Sequence, residues 1–253
     1  MTMLRVEKLT CGYGREPVVK GLTFSVEEGQ RLCILGPNGC GKTTLLRAVA
    51  GLLPCEGTVE VCGRALSAMS RRETAQNIAL MSQLTGTYFS YTVYETVMLG
   101  RYAHHKGGGL ERESAEDRRI VRESLERTGT LALSDRLITE LSGGQLQRVF
   151  LARAFAQDPA VILLDEPTNH LDLRYQVELT ETLKTWAAQG GRAVLGVLHD
   201  INLALSFADT VLLMEDGRAC FYGPAAALEP ALLSRVYGMD VDGYMRRTLS
   251  RWA

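Results

Sequence analysis

Residues 36–43 have the types and the spacing that binding a polyphosphate requires. They read Gly-Pro-Asn-Gly-Cys-Gly-Lys-Thr, which is the pattern G-x-x-x-x-G-K-T. Glycines let the backbone N–H groups of such a loop converge on an anion, and a following helix directs its positive end at the same point. Lys42 adds a mobile cation for the terminal phosphates, and the Thr43 hydroxyl is placed to bind Mg²⁺. The residues predicted to contact a nucleoside triphosphate here are Gly36, Pro37, Asn38, Gly39, Cys40, Gly41, Lys42, Thr43 and Thr44.

Two adjacent acids, Asp165 and Glu166, follow an apolar run at residues 161–164. A carboxylate is costly to bury at the end of such a strand, and one that faces a phosphate loop is the expected outer ligand of Mg²⁺. In an extended chain Glu166 points to the other side of the backbone, where it can polarise a water for in-line attack on the γ-phosphate. Alone, the two acids would be a solvated strand end. Beside the lysine loop they predict hydrolysis.

Two further segments fit the same chemistry. Ser142, Gly143 and Gly144 precede a helix-forming stretch at residues 145–157, and they predict a second helix N-terminus that can accept an anion. Elsewhere a Ser-Gly-Gly segment would indicate only a helix cap. His199 follows the apolar run at residues 193–198, which places it on the same edge of the sheet as Asp165.

The composition indicates an ordinary globular protein, either one domain with a subdomain or two small domains, since the chain has 253 residues. The 28 basic and 29 acidic residues nearly balance, which weighs against a nucleic-acid partner. The six cysteines have no C-x-x-C pair and no metal-ligand spacing, so we expect reduced thiols in the cytosol. The N-terminus lacks the apolar region of a signal peptide, and the apolar runs are too short to span a membrane. Work at a membrane would therefore require another protein as anchor.

Apolar β-branched runs bounded by glycine recur along the chain, and several are continuous, as in strands covered by helices on both faces. The pattern of apolar and charged residues changes between residues 91 and 141, where residues 112–127 have the pattern of an amphipathic helix. This predicts a helical insert in an α/β core. The predicted strands are residues 22–26, Arg31–Leu35, residues 58–61, Ile78–Met81, and residues 161–164, 193–198 and 211–214.

Together these motifs resemble the nucleotide-binding subunit of ATP-binding cassette (ABC) transporters, from about residue 3 to residue 223. The resemblance implies an α/β fold, namely a RecA-like P-loop NTPase core with an antiparallel β subdomain and an inserted helical subdomain. It implies one ATPase domain over residues 1–253, with the core at about 1–84 and 151–253 and the helical subdomain at about 85–150. ATP and Mg²⁺ are the implied ligands.

Further marks of the family match individual positions. Tyr13 matches the aromatic residue that stacks on adenine, and Gln83 matches the glutamine that contacts Mg²⁺ and joins the core to the helical subdomain. Residues 141–145 match the signature, and residues 168–172 match the loop that crosses the dimer interface. His199 matches the histidine that senses the γ-phosphate.

The signature implies a homodimer, because in the family it faces the ATP of the partner subunit and two chains enclose two nucleotides. The implied contacts to that nucleotide are Ser142, Gly143, Gly144 and Gln145. The implied groups for hydrolysis are Glu166, His199 and Gln83, and those for the metal are Thr43, Gln83 and Asp165.

Residues 92–102, followed by a glycine-containing loop and a charged helix, resemble the ATPases of bacterial iron–siderophore, haem and cobalamin importers. That resemblance implies integral membrane permease subunits, an extracytoplasmic binding protein that acts indirectly, and a peripheral location on the cytoplasmic face of the inner membrane. The aromatic residues that would either form the groove for a permease helix or only pack the helical subdomain are Tyr88, Phe89, Tyr91 and Tyr94, together with Val93. A soluble single-cassette ATPase of the iron–sulfur assembly type and an exporter subunit stay open as alternatives.

Four positions allow a plainer interpretation. Tyr13 lies between two glycines and could be a turn residue. Cys40 lies at a helix N-terminus, where a thiol can have a lowered pKa, although a small residue without a regulatory role is the favoured interpretation. His104 and His105 lie near three glycines and are predicted to be solvated loop residues rather than metal ligands.

Overall fold

The structure is a computed structural model that describes residues 1–82, 90–105, 113–169 and 171–250. The strands are β1 (Thr2–Cys11), β2 (Val19–Glu27), β3 (Arg31–Leu35), β4 (Cys55–Val61), β5 (Arg64–Ala65), β6 (Ile78–Met81), β7 (Val161–Asp165), β8 (Ala193–Val197), β9 (Thr210–Glu215) and β10 (Arg218–Pro224). The helices are α1 (Lys42–Val49), α2 (Arg71–Asn77), α3 (Val93–Met98), α4 (Ala115–Arg127), α5 (Gly143–Ala156), α6 (Leu173–Ala187), α7 (Ile201–Phe207), α8 (Pro230–Tyr237) and α9 (Val241–Leu249).

A six-stranded sheet in the order β10-β9-β3-β8-β7-β6 forms the centre of the molecule. Its strands are parallel except β10, which pairs antiparallel with β9. The predicted strands all appear, and the continuous apolar runs are explained because β3, β7 and β8 are buried on both faces. The carboxyl ends of β3, β7 and β8 meet at one edge, where the loops that follow them converge.

A second sheet, antiparallel and in the order β2-β1-β4-β5, packs over one face of the first with α1 between them. The alternation along β3 shows the layers, since Leu32 and Ile34 pack toward α1 while Cys33 and Leu35 pack toward the helices on the opposite face. The structural neighbours described below and this parallel sheet confirm the predicted α/β P-loop fold.

The segment between β6 and β7 contributes α3, α4 and α5. The amphipathic pattern is confirmed as α4, which begins at Ala115 because Ser114 and Asp117 form a capping box, and which buries Val121 and Leu125. The turn at Leu99–His104 packs closely on α5, since a side chain at Gly100 would meet the Arg153 carbonyl oxygen at 2.4 Å. The predicted division at residue 150 falls inside α5 and stays a prediction.

The prediction that His104 and His105 are solvated is wrong. His105 Nε2 lies 3.2 Å from Asp117 Oδ2, and His104 Nε2 lies 2.9 Å from the Gln157 carbonyl oxygen, both partly buried. Asp117 also accepts a hydrogen bond from buried Arg101 at 2.9 Å. These contacts tie the turn and α4 to α5, because each imidazole finds a polar partner on a neighbouring element.

No helix among the described residues is long and apolar enough to cross a membrane.

Candidate nucleotide-binding site

The loop between β3 and α1 has the geometry of an anion cradle. Gly36 and Gly41 have φ angles of 144° and 103°, which other residues rarely adopt. A Cβ at Gly36 would lie 2.2 Å from the Met214 carbonyl oxygen, so only glycine fits. Gly41 is the N-cap of α1 and makes no side-chain cap bond. The first N–H groups of α1 therefore have no side-chain partner and can bind an anion.

Lys42 lies across this loop. Its side chain is buried, and Nζ donates to the carbonyl oxygens of Gly36 at 2.7 Å and Pro37 at 2.9 Å. Among the described residues, this buried ammonium group is bonded to carbonyl oxygens. It can exchange them for phosphate oxygens, because an anion stabilises the charge more strongly.

Thr43 and Asp165 form the oxygen pair predicted for Mg²⁺. Thr43 Oγ1 donates to Asp165 Oδ1 at 3.0 Å, which joins the start of α1 to the end of β7. Burial raises the pKa of Asp165, and the hydrogen bond from Thr43 partly offsets that effect. A hydroxyl and a desolvated carboxylate are hard oxygen donors, so the donor set fits Mg²⁺. The cation would also stabilise the ionised form that burial disfavours.

Glu166 departs from the extended conformation expected from the sequence. Its φ is 56°, so the chain turns sharply after β7. The Glu166 N–H donates to the Val197 carbonyl oxygen at 3.1 Å. This turn directs the carboxylate toward the loop edge, where both oxygens have partners. Asn169 Nδ2 donates to Oε2 at 2.6 Å, and His199 Nε2 lies 2.5 Å from Oε1. A non-glycine residue in this region costs about 1–3 kcal/mol and is common at active sites.

The phosphate loop, Glu166 and His199 line one cavity of about 330 Å³. The sheet edge brings them together although 157 positions separate Lys42 from His199. The described residues that line the cavity are Val18, Asn38, Gly39, Gly41, Lys42, Thr43, Thr44, Glu166 and His199.

Tyr13 lies in the turn between β1 and β2, and its side chain is 61% exposed. Arg47 Nη1, on α1, donates to the Tyr13 hydroxyl at 3.1 Å. The helix that begins in the phosphate loop therefore also holds this ring, which is open on its surface for a base to stack.

The signature segment lies apart from this cavity. Ser142 caps α5, and it forms a capping box with Gln145, whose Oε1 accepts from the Ser142 N–H at 3.0 Å. Ser142 and Gly143 are exposed, and none of the described residues of this segment lines the cavity. The helix begins at Gly143, two residues before the predicted start, because the capping box makes Ser142 the N-cap.

Several sequence predictions fall outside the described residues, namely Gln83, Tyr88, Phe89 and His170. Among the other aromatic candidates, Tyr94 packs against the core and donates to Glu113 at 3.2 Å, while Tyr91 is 40% exposed. Val93 is buried. Packing of the helical segment accounts for Val93 and Tyr94.

A reactive thiol at Cys40 does not fit the structure. Cys40 is buried, and burial raises the pKa of its thiol, although the charge of Lys42 opposes the shift. The plain interpretation of a small residue in the loop is the one that agrees with this environment.

Two residues outside the predicted site, Arg47 and Gln147, support it, and Asn169 of the predicted interface loop has a contact that the sequence did not indicate. Asn169 holds Glu166, Arg47 holds Tyr13, and Gln147 Nε2 on α5 donates to the Pro167 carbonyl oxygen at 2.7 Å. Asn169 stands three positions after Glu166, and the turned backbone at Glu166 brings the two side chains together. The contacts of Arg47 and Gln147 depend on tertiary structure and leave no local signal.

Comparisons with known proteins agree with this geometry. The ABC transporter family model matches residues 19–169, which is more than half of the chain. The iron(3+)-hydroxamate import ATP-binding protein FhuC of Bacillus subtilis is 37% identical, over 96% of this chain and 90% of that protein. The hemin import ATP-binding protein HmuV of Pseudomonas putida is 40% identical, over 94% of each.

Another relative, the uncharacterized ABC transporter ATP-binding protein YvrA of Bacillus subtilis, is 39% identical over 97% of this chain, which spans 56% of that protein's length. A solved metal-chelate type ABC transporter in an inward-facing conformation superposes with a TM-score of 0.81 and 29% identity, covering 94% of this chain and 90% of the other. From the family match and the site together, this chain belongs to the ABC transporter family and is one of its ATP-hydrolysing cassettes.

Proposed function

We propose that this chain powers the import of an iron–siderophore or haem-type substrate through a separate membrane permease. The observation that carries this proposal is the similarity, over nearly the whole chain, to ATP-binding proteins named for hydroxamate and hemin import. The cavity that joins Lys42, Glu166 and His199 supports the ATPase part of the proposal.

The working unit that we propose is a homodimer. The N-terminus of α5 is exposed and lies outside the cavity of its own chain, which supports a role toward the nucleotide of a second chain. Ser142, Gly143, Gly144 and Gln145 would then contact ATP that is held by the loop of the partner subunit. Binding of ATP would close the dimer, and loss of the γ-phosphate would reopen it.

Thr43 and Asp165 would hold Mg²⁺, with Gln83 as the third proposed ligand. The metal would neutralise charge on the phosphates. Lys42 would leave the carbonyl oxygens of Gly36 and Pro37 and donate to the β- and γ-phosphates. Tyr13, held by Arg47, would stack on the adenine.

Glu166 is the proposed general base for hydrolysis. Its carboxylate would accept a proton from a water whose oxygen attacks the γ-phosphorus, while the bond from that phosphorus to the bridging oxygen breaks and ADP leaves. Asn169 and His199 support this role, because they hold both carboxylate oxygens and so fix the direction in which the base faces.

The partner test uses tagged Glu166→Gln, which we expect to hold ATP in a closed dimer, as bait in detergent-solubilised membranes of the native host. Recovery of a many-spanning membrane protein would support a transporter located at the cytoplasmic face of the inner membrane. The matched bait is Glu166→Gln combined with Lys42→Ala, which should no longer enrich partners in an ATP-dependent way. Recovery of soluble iron–sulfur assembly proteins alone would overturn the import proposal. Recovery of an exporter permease would show that the substrate is exported rather than imported.

A further inference from the structure

Tyr237, the last residue of α8, reaches the first residue of the phosphate loop. The Gly36 N–H donates to the Tyr237 hydroxyl oxygen at 3.1 Å, although 201 positions separate the two residues. Tyr237 lies well beyond residue 169, where the match to the family model ends. The C-terminal helices are therefore in direct contact with the loop that binds phosphate.

Gly36 has little freedom to relax if this contact is lost. Its Cβ position is filled by the Met214 carbonyl oxygen at 2.2 Å and the Cys40 sulfur at 2.9 Å. Its carbonyl oxygen accepts from Lys42 Nζ, and its N–H donates to Tyr237. The hydrogen bond from Lys42 to the Gly36 carbonyl oxygen must weaken when that ammonium group moves to a phosphate oxygen. The hydrogen bond from the Gly36 N–H to Tyr237 does not involve Lys42. Tyr237 is thus a restraint on Gly36 that can persist through the reaction cycle.

The tyrosine itself is held firmly. Burial raises the pKa of Tyr237, although the Gly36 N–H opposes this, so the hydroxyl remains neutral and can accept the hydrogen bond. Gly238, with a φ of 66°, ends α8, and the Val241 N–H donates to Ser234 Oγ at 3.0 Å. This bond ties the start of α9 back to α8.

The α8–α9 pair is also docked beside the other end of the site. Asn202 Nδ2 on α7 donates to Met245 Sδ on α9 at 3.3 Å. Helix α7 begins at Ile201, two positions after His199. The same pair of helices therefore contacts both the phosphate loop and the helix that follows the cavity histidine.

We propose that Tyr237 is a positioning residue for ATP, through which the α8–α9 pair fixes the orientation of Gly36 and so the shape of the phosphate loop. The proposal rests on the ATP-binding role of that loop and is independent of the substrate that is transported. Tyr237 acts through Gly36 and has no role in bond breaking, so we expect it to affect ATP binding more than turnover at saturation.

The test is Tyr237→Phe, which removes the hydroxyl and keeps the ring. The matched control is Tyr222→Phe, since the Tyr222 hydroxyl also bonds to backbone, donating to the Ser25 carbonyl oxygen at 2.7 Å, but at the sheet interface. We expect the KM for ATP of Tyr237→Phe to rise about threefold to tenfold, the effect of one hydrogen bond. We expect kcat to stay within about twofold of the wild type.

Amide hydrogen exchange supplies a readout that general destabilisation does not reproduce. In nucleotide-free Tyr237→Phe the Gly36 N–H should exchange faster than in the wild type, whereas in Tyr222→Phe it should be unchanged. An unchanged KM for Tyr237→Phe, or equal changes in both variants, would overturn the inference while leaving the ATPase assignment in place. Failure of the wild type to bind ATP would overturn both together.

Discussion

The N-termini of α1 and α5 are both preceded by glycine-containing segments, but they satisfy their backbone groups differently. At α1 the N-cap is Gly41 and makes no side-chain cap bond. At α5 the N-cap is Ser142, and its capping box with Gln145 satisfies one of the first N–H groups. The α1 terminus is thus kept open for an anion, while the α5 terminus is a stable cap that leaves Ser142 and Gly143 exposed.

Their surroundings differ as well. The α1 terminus is buried and lies with Glu166 and His199 in one cavity, which brings together the groups proposed for binding and for hydrolysis. The exposed α5 terminus contributes no residue to that cavity among those described. This difference supports a division of labour in which α1 binds ATP within one chain and α5 completes the site of another. Substitutions at each terminus test the two sides of that division.

The largest effect is expected at Glu166, the proposed base, which lies in the same cavity as the α1 terminus. Glu166→Gln keeps the shape of the side chain but cannot accept a proton. Phosphate release at saturating ATP should fall about 10²- to 10⁴-fold, whereas ATP binding should persist. Steady-state phosphate release and equilibrium ATP binding measure the two quantities.

A matched control for this variant is Glu178→Gln, because Glu178 is an acid on α6 whose partner is Arg174 at 2.7 Å. Its turnover should equal that of the wild type. Turnover by Glu166→Gln at the wild-type rate would show that another group acts as the base.

The second effect is on binding at the α1 terminus itself. Lys42→Ala removes a charged donor, which should weaken ATP binding about 10- to 100-fold. Isothermal titration with a slowly hydrolysed ATP analogue measures this change. Lys184→Ala, which removes an ammonium group paired with Glu181 on α6, should leave the affinity unchanged. Equal affinities of Lys42→Ala and the wild type would contradict the assignment of the phosphate loop.

Structure was best predicted from the sequence where one short residue pattern indicates both a function and a local structure. The loop at residues 36–43 and the buried strands β3, β7 and β8 were predictable because their spacing and apolar runs have few alternative structures. Strand β10 was not predicted, because its residues are mostly exposed and its short apolar run, residues 219–222, contains no β-branched residue.

Contacts between distant parts of the chain could not be predicted from the sequence, because they form only when separate elements pack together. His105 lies 12 positions before Asp117, and only the packing of the preceding turn against α4 makes the two residues partners. The turned backbone of Glu166 is set by its bond to Val197, which belongs to another strand. Neither arrangement is encoded in neighbouring residues.

A smaller effect is expected at the α5 terminus. Ser142→Ala removes a helix cap, which should cost about 1 kcal/mol of the free energy of unfolding. Ser70→Ala removes the equivalent residue from the capping box of α2 and should cost a similar amount. Only Ser142→Ala should also weaken ATP-dependent dimerisation, by about threefold to tenfold, when each is combined with Glu166→Gln and studied by analytical ultracentrifugation. Equal dimerisation of the two variants would remove the proposed role of α5 in a second chain.

The smallest effect is expected on folding stability, at the buried carboxylate of Asp165 beside the α1 terminus. Burial raises the pKa of Asp165, so as the pH rises the unfolded chain loses this proton before the folded chain does. The carboxylate then destabilises the folded state at neutral pH, and this cost disappears as the pH falls through the raised pKa toward the ordinary value. Without nucleotide or metal, Asp165→Asn should therefore have a higher Tm than the wild type at neutral pH, with a difference that shrinks on acidification.

Asp209, immediately before β9 of the same sheet, offers the opposite case. Burial acts to raise the pKa of Asp209, but its bonds to Arg31, including one at 2.9 Å from Nε, lower the pKa overall. Asp209→Asn should therefore lower the Tm at neutral pH, and that loss should also fade as the pH falls through the depressed pKa. The Tm of both variants and the wild type, measured by thermal unfolding from neutral to acidic pH, shows whether the two differences have opposite signs. If Asp165→Asn lowered the Tm as Asp209→Asn does, the carboxylate at the α1 site would be stabilising, and its burial could not be a cost accepted for binding a metal and a nucleotide.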